Sequence, residues 1–158
     1  MIPTAKLAAG RSITKSEISK FWIQNPHYAS CVGCYVFGVR AGKGITPLYV
    51  GKSTKSFQTE AFEYHKLSKY LPALTSYKRG TPVMFFVVYP QKKGKLNISH
   101  ITALEKFLIQ QGVAANPLLL NISHAKVPRW GIAGVIRSDT KKPSDAAVSF
   151  KSLLGFKK

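Results

Sequence analysis

Two apolar runs, residues 33–40 and 46–52, flank a short basic connector that contains Gly42 and Gly44. Glycines between two β-prone runs predict a β-hairpin. Each run carries a tyrosine: Gly33-Cys34-Tyr35 heads the first and Tyr49-Val50-Gly51 ends the second. A hairpin therefore brings two phenols onto one sheet, beside the basic connector Arg40-Ala41-Gly42-Lys43-Gly44.

The 158 residues are 45% hydrophobic, enough for one domain with a core. Lys and Arg number 24 against 6 Asp and Glu, a net charge of +18. The excess runs through every part of the chain, so the folded surface attracts polyanions and binds phosphates in a salt-dependent way. Nucleic acid is the expected partner, and the plainer alternative is a generic basic protein that coats ribosomal RNA or an anionic membrane. Cys31 and Cys34 are the only cysteines. Without a second ligand pair they do not make a zinc knuckle, and they read as two reduced thiols at the start of a strand. No signal peptide and no apolar stretch of about 18 residues is present, so no membrane partner is expected and a reducing cytoplasm is the default.

Further along, Ser12 or Thr14 caps a helix to about Gln24, with Glu17 in its first turn. After the hairpin, Phe57, Ala61, Tyr64, Leu67 and Leu71 recur at helical spacing, ended by Pro72. Residues 82–89 are apolar on both faces and predict a covered strand. A second clear helix spans about residues 99–112, with Ile101, Leu104, Leu108 and Ile109 on one face and Gly112 as its C-terminal cap. Asn116 to Asn121 reads as a loop with a short buried segment, and residues 1–12 look loose. The expected fold is α/β: a small, mainly antiparallel, three-stranded sheet flanked by helices. It divides into an N-terminal helical extension (1–30), a core (31–122) and an irregular basic extension packed on the core (123–158).

Several residues can carry chemistry. A phenol near cations or a metal-bound water can have its pKa lowered and help activate or orient water. Gly51-Lys52-Ser53-Thr54-Lys55 offers donors for a phosphate at a helix start, without the spacing of a nucleotide-binding loop. Glu105, one of six acids, is either a solvent-facing glutamate paired with Lys106 or Thr102, or the hard carboxylate that a divalent cation at a phosphate needs. His65 can donate to a phosphate, shuttle a proton or simply pack.

Over about residues 33–121 the chain resembles the GIY-YIG nuclease superfamily. Gly33-Cys34-Tyr35 matches the first motif and Tyr49-Val50-Gly51 the second. A histidine, a glutamate and a Leu-Asn step follow in the family's order as His65, Glu105 and Asn121. The resemblance implies a DNA endonuclease of restriction or homing type. Glu105 would hold one divalent ion, Mg²⁺ or Mn²⁺. Tyr35 would serve as, or assist, the general base. Tyr49 and His65 would position water or phosphate oxygens, and Asn121 would complete the site. The alternative is a module on the same fold that binds DNA or RNA without cutting it.

The family's arginine, one helical turn before His65, falls on Ala61. Two origins are open: a lineage that binds without cutting, or an arginine exchanged for alanine so that an uncut complex is trapped. Retention of the other motif residues favours the second, and Ala61→Arg would then restore cleavage. Arg40, Lys43, Lys52, Lys55, Lys78, Arg79 and Arg129 are the expected nucleic-acid contacts. They position the backbone without specifying sequence. A homodimer would suit double-strand breakage and is left open.

Overall fold

The computed structural model describes residues 4–6, 13–77, 80–90, 95–121, 132, 135 and 143–155. Four strands, β1 (Thr4–Lys6), β2 (Gly33–Ala41), β3 (Gly44–Ser53) and β4 (Thr81–Val88), form one sheet in the order β1-β4-β2-β3. All neighbours are antiparallel. The expected three-stranded sheet is β4-β2-β3. The short β1, from a region that looked loose, extends it along β4.

The helices are α1 (Lys15–Gln24), α2 (Pro26–Ala29), α3 (Phe57–Glu60), α4 (Tyr64–Thr75), α5 (Ile98–Ala115) and α6 (Asp145–Leu153). They cover the sheet on both faces. Alternation along the strands turns Tyr35, Phe37, Tyr49, Met84 and Phe86 toward an aromatic layer that includes α1 residues Phe21 and Trp22. The opposite face presents Cys34, Val36, Val50, Phe85 and Val87 to α5 and α6. Of the two expected caps, Thr14 is the one that caps α1, and Glu17 of the first turn completes a capping box with it. Each buried Phe in these layers contributes about 1.5–3 kcal/mol of transfer free energy.

Three local expectations change. The single helix expected after the hairpin is two helices. The chain turns at Ala61 and Phe62, and Glu63 restarts the helix from an extended conformation. The turn resets the helical phase, so Tyr64 is 87% exposed and the inward stripe of α4 is Lys66, Tyr70 and Leu74. Pro72 lies inside α4 rather than ending it. Gly112 is not a cap. Helix α5 continues past it to Ala115, and Gly112 instead admits Leu119, whose Cδ2 would meet an added Cβ at 3.1 Å. The tail also contains an ordered element: Ser144 caps α6, and Phe150 of that helix packs on Phe85.

The Asn116–Asn121 segment covers the outer edge of β3. Asn116 Nδ2 donates to the Pro47 carbonyl (2.7 Å) and the Leu120 N–H to the Leu48 carbonyl (2.8 Å). Asn121 accepts from the Val50 N–H (3.1 Å) and donates to the Val50 carbonyl (2.6 Å). An edge strand would otherwise present these groups unpaired. Among the described residues no helix is long and apolar enough to cross a membrane.

Candidate active site

Tyr35 pairs with Gly51 across the β2–β3 ladder, and Phe37 with Tyr49. The two tyrosines are therefore diagonal neighbours on one face, with rings stacked 6.5 Å apart. Both motif glycines permit close approaches. A Cβ on Gly51 would overlap Cζ and Oη of Tyr35, and one on Gly33, at φ 140°, would overlap the Val87 carbonyl oxygen.

Tyr35 is fully buried, and its hydroxyl makes no hydrogen bond of ordinary geometry among the described residues. The Tyr70 hydroxyl lies near enough to interact with it electrostatically but donates to the Ala61 carbonyl, 3.2 Å away. Burial, reinforced by Tyr49, Glu105 and Glu60, pushes the Tyr35 phenol far above its ordinary pKa despite the opposing contact from Tyr70. Burial, then Glu105 and Glu63, also raise Tyr49. In this state both phenols keep their protons at neutral pH. In this state Tyr35 is a hydrogen-bond donor, and the expected base role would require a nearby cation to bring its pKa down.

Glu105 occupies the sheet-facing side of α5 between Leu104 and Leu108 and is half-buried. Its Oε2 lies 3.0 Å from Lys52 Nζ on β3, not against Lys106 or Thr102. By strand alternation Lys52, opposite Cys34, points to the α5 face, so the sheet separates Glu105 from the phenols. The Glu105 charge nevertheless reaches both of them. Among the described residues no group of three or more His, Cys, Asp and Glu side chains is placed to hold a metal. Glu105 is a hard oxygen donor that already neutralises one cation, the Lys52 ammonium. It suits Mg²⁺ or Mn²⁺ held by one carboxylate together with water and phosphate oxygens.

The other expected residues are placed as follows. Asn121 spends both ends of its amide on the Val50 backbone, so it positions the Tyr49–Gly51 strand. The His65 side chain is 65% exposed on the outer side of α4, with Nε2 3.8 Å from Glu63, rather than against the phenols. Ala61 is fully buried in the aromatic layer and is not on one helix with His65. It is a core position, so an arginine there would have no open path to a phosphate. The Thr54 and Lys55 N–H groups, expected to meet phosphate, already donate to Glu60 Oε2 at 2.7 and 3.2 Å. Burial pushes the Glu60 carboxyl up. The nearby Ser53 hydroxyl, these two N–H donors and the Lys66 charge outweigh burial and hold it below the usual value. Among the described residues Ser53 Oγ itself makes no hydrogen bond of ordinary geometry.

Arg40 and Lys43 lie at the hairpin end, about 20 Å along the ladder from Lys52, by the rise of a strand. Lys55 is exposed beside Lys52. Lys78, Arg79 and Arg129 lie outside the described residues. Cys31 and Cys34 are free thiols that donate to the carbonyls of His27 (3.1 Å) and Ile101 (3.4 Å).

Two lysines that the motif reading passed over complete the cluster. Lys66 Nζ sits 5.7 Å from the Tyr35 ring centre, and Lys69 Nζ 5.6 Å from that of Tyr49. Lys66 also donates to the Glu60 carbonyl and pairs with Glu63 Oε2 at 3.0 Å. The spacing Lys66, Tyr70, Leu74 carried the signal, because it puts a lysine on an apolar helix stripe. Comparison with protein-family models, with curated proteins and with solved structures finds no match.

Proposed function

We propose that the chain is a DNA endonuclease that hydrolyses phosphodiesters with a single divalent ion at Glu105. The observation that carries the reading is the stacked pair Tyr35–Tyr49, made possible by Gly51, with an ammonium over each ring and the charge of Glu105 reaching both. Strongly basic composition supports a polyanionic substrate.

The scissile phosphate would sit at the outer edge of β3 around Gly51 and Lys52. Among the described residues the edge cover reaches Asn121, opposite Val50, and strand alternation turns the Lys52 N–H and C=O outward. From this edge a phosphate meets Glu105 on one side of the sheet and the phenols on the other. Glu105 would hold the divalent ion, which would supply Lewis acidity to the phosphate oxygens and neutralise charge on the leaving 3′ oxygen. Tyr35 would keep its proton; its hydroxyl is closed off in this state, and if DNA binding opens the Gly51 edge it would donate a hydrogen bond to a non-bridging oxygen, where charge grows in the transition state. Tyr49, nearer the surface and beside Lys69, orients the attacking water. Lys52, which pairs with Glu105 in this state, would be able to contact phosphate if a divalent ion took its place at Glu105. The water oxygen would bond to phosphorus as the bond to the 3′ oxygen breaks, the water proton passing to solvent and the 3′ oxygen taking a proton from solvent.

A second reading, a module that binds without cutting, is favoured by the ion pair that occupies Glu105. Digestion of a mixed DNA library with Mg²⁺, followed by sequencing of the ends, separates the two. Cleavage fragments support the endonuclease. A protein that binds the library and leaves it whole is a binding module.

A further inference from the structure

Lys66 is the only charged side chain buried among the described residues, with its side chain 9% exposed. Its position is unfavourable twice. Burial of an ammonium is costly without partners. It also lies in the first turn of α4, where the helix end is positive and disfavours a cation. A chain with 24 basic residues has many cheaper places for one more lysine.

The partners of Lys66 differ in how firmly they hold it. The Glu60 carbonyl is a backbone group at the end of α3. The Glu63 carboxylate is 40% exposed, 3.0 Å from Nζ and 3.8 Å from His65 Nε2. Glu63 stands at the N-cap of α4 yet caps nothing with its side chain. Beneath the ammonium lies the Tyr35 ring, whose buried hydroxyl makes no hydrogen bond of ordinary geometry among the described residues. The group therefore combines a buried cation, a helix start without a side-chain cap, and one partly exposed carboxylate.

We propose that Lys66 and the start of α4 form a backbone-phosphate subsite whose place Glu63 holds until nucleic acid binds. This rests on the reading of the chain as DNA-binding, and it replaces Ala61 as the source of the basic group. A carboxylate and a phosphate both present anionic oxygens to an ammonium. A phosphate oxygen that displaces Glu63 reaches Nζ by the same route, and Glu63 then turns to solvent. Lys69, one turn along α4 and above Tyr49, extends the same basic strip. The subsite binds any phosphodiester backbone and reads no base.

The test is the affinity of a DNA duplex over a salt series, without divalent metal, for the wild-type chain, Lys66→Met and Glu63→Gln. The proposal expects Lys66→Met to bind about tenfold more weakly and to reduce the salt slope by about one. It expects Glu63→Gln to bind severalfold more tightly. A pair that only stabilises the fold predicts otherwise: both variants melt lower, while affinity and slope match wild type. That result overturns the proposal. If Lys66→Met does not fold, Glu63→Gln decides alone, and affinity no higher than wild type overturns it. Because the readout is binding, a wild type that binds but does not cut refutes the endonuclease and leaves this subsite standing. A wild type that cuts, with both variants binding unchanged, does the reverse. A wild type that binds no DNA overturns both.

Discussion

The Tyr35 phenol lies against the Cα of Gly51 on the neighbouring strand, in space that a Cβ would fill. This contact links the two tyrosine motifs physically. The glycine of the second motif makes room for the tyrosine of the first.

Gly51→Ala is therefore expected to displace the Tyr35 ring and lower stability by about 1–3 kcal/mol, the usual range for overpacking a core. Denaturant unfolding measures it. A variant as stable as wild type would mean that the phenol has other room.

Tyr35→Phe removes a buried hydroxyl that makes no hydrogen bond of ordinary geometry among the described residues and meets the Tyr70 hydroxyl. Folding stability at pH 7 should stay level or rise by about 1 kcal/mol, while DNA cleavage falls by about 10²-fold or more. The pH dependence has a definite sign. The folded-state pKa is raised above the unfolded value, which is about 10. The contribution is present below pH 10 and lost as pH rises above it. Stability scans from pH 9 to 11 should show less alkaline loss in Tyr35→Phe than in wild type. Equal loss in both would place the titrating group elsewhere.

Glu60 behaves in the opposite sense. Its folded-state pKa is held below the ordinary value, so its contribution is present above about pH 4.3 and lost as pH falls through the depressed folded value. Glu60→Gln should be less stable than wild type at pH 7, and the difference should shrink toward pH 3. Urea midpoints across that range measure it, and a constant difference would contradict the assignment.

Much of this fold was legible in residue order. The hairpin, the apolar β4, the Thr14–Glu17 capping box and the α5 stripe all rest on local patterns that the structure keeps. What was hidden depends on phase and distance. The turn at Ala61 and Phe62 resets α4, which turned Tyr64 outward and Lys66 inward and removed Ala61 from the helix of His65. Glu105 was identified as the informative acid, but its pairing with Lys52 is set by how α5 crosses β3. Asn121 was picked out by motif order, whereas its hold on the Val50 backbone depends on the edge of a strand far away in sequence.

Ala61→Arg follows from the same correction. Position 61 is fully buried among aromatic residues, so a guanidinium there is an unpaired buried charge and should cost about 3 kcal/mol or more. The variant should melt lower and cut DNA no faster than wild type. Higher activity in a well-folded Ala61→Arg protein would restore the view that an arginine is missing there.

The most direct measurement is single-turnover cleavage of a mixed pool of supercoiled, linear and branched DNA by the wild-type chain with Mg²⁺ or Mn²⁺, run beside Glu105→Gln. The account predicts metal-dependent strand breaks by wild type and a loss of about 10²-fold or more in Glu105→Gln, with DNA binding kept. A wild-type protein that leaves every substrate intact, or a Glu105→Gln variant that cuts as fast, would contradict it.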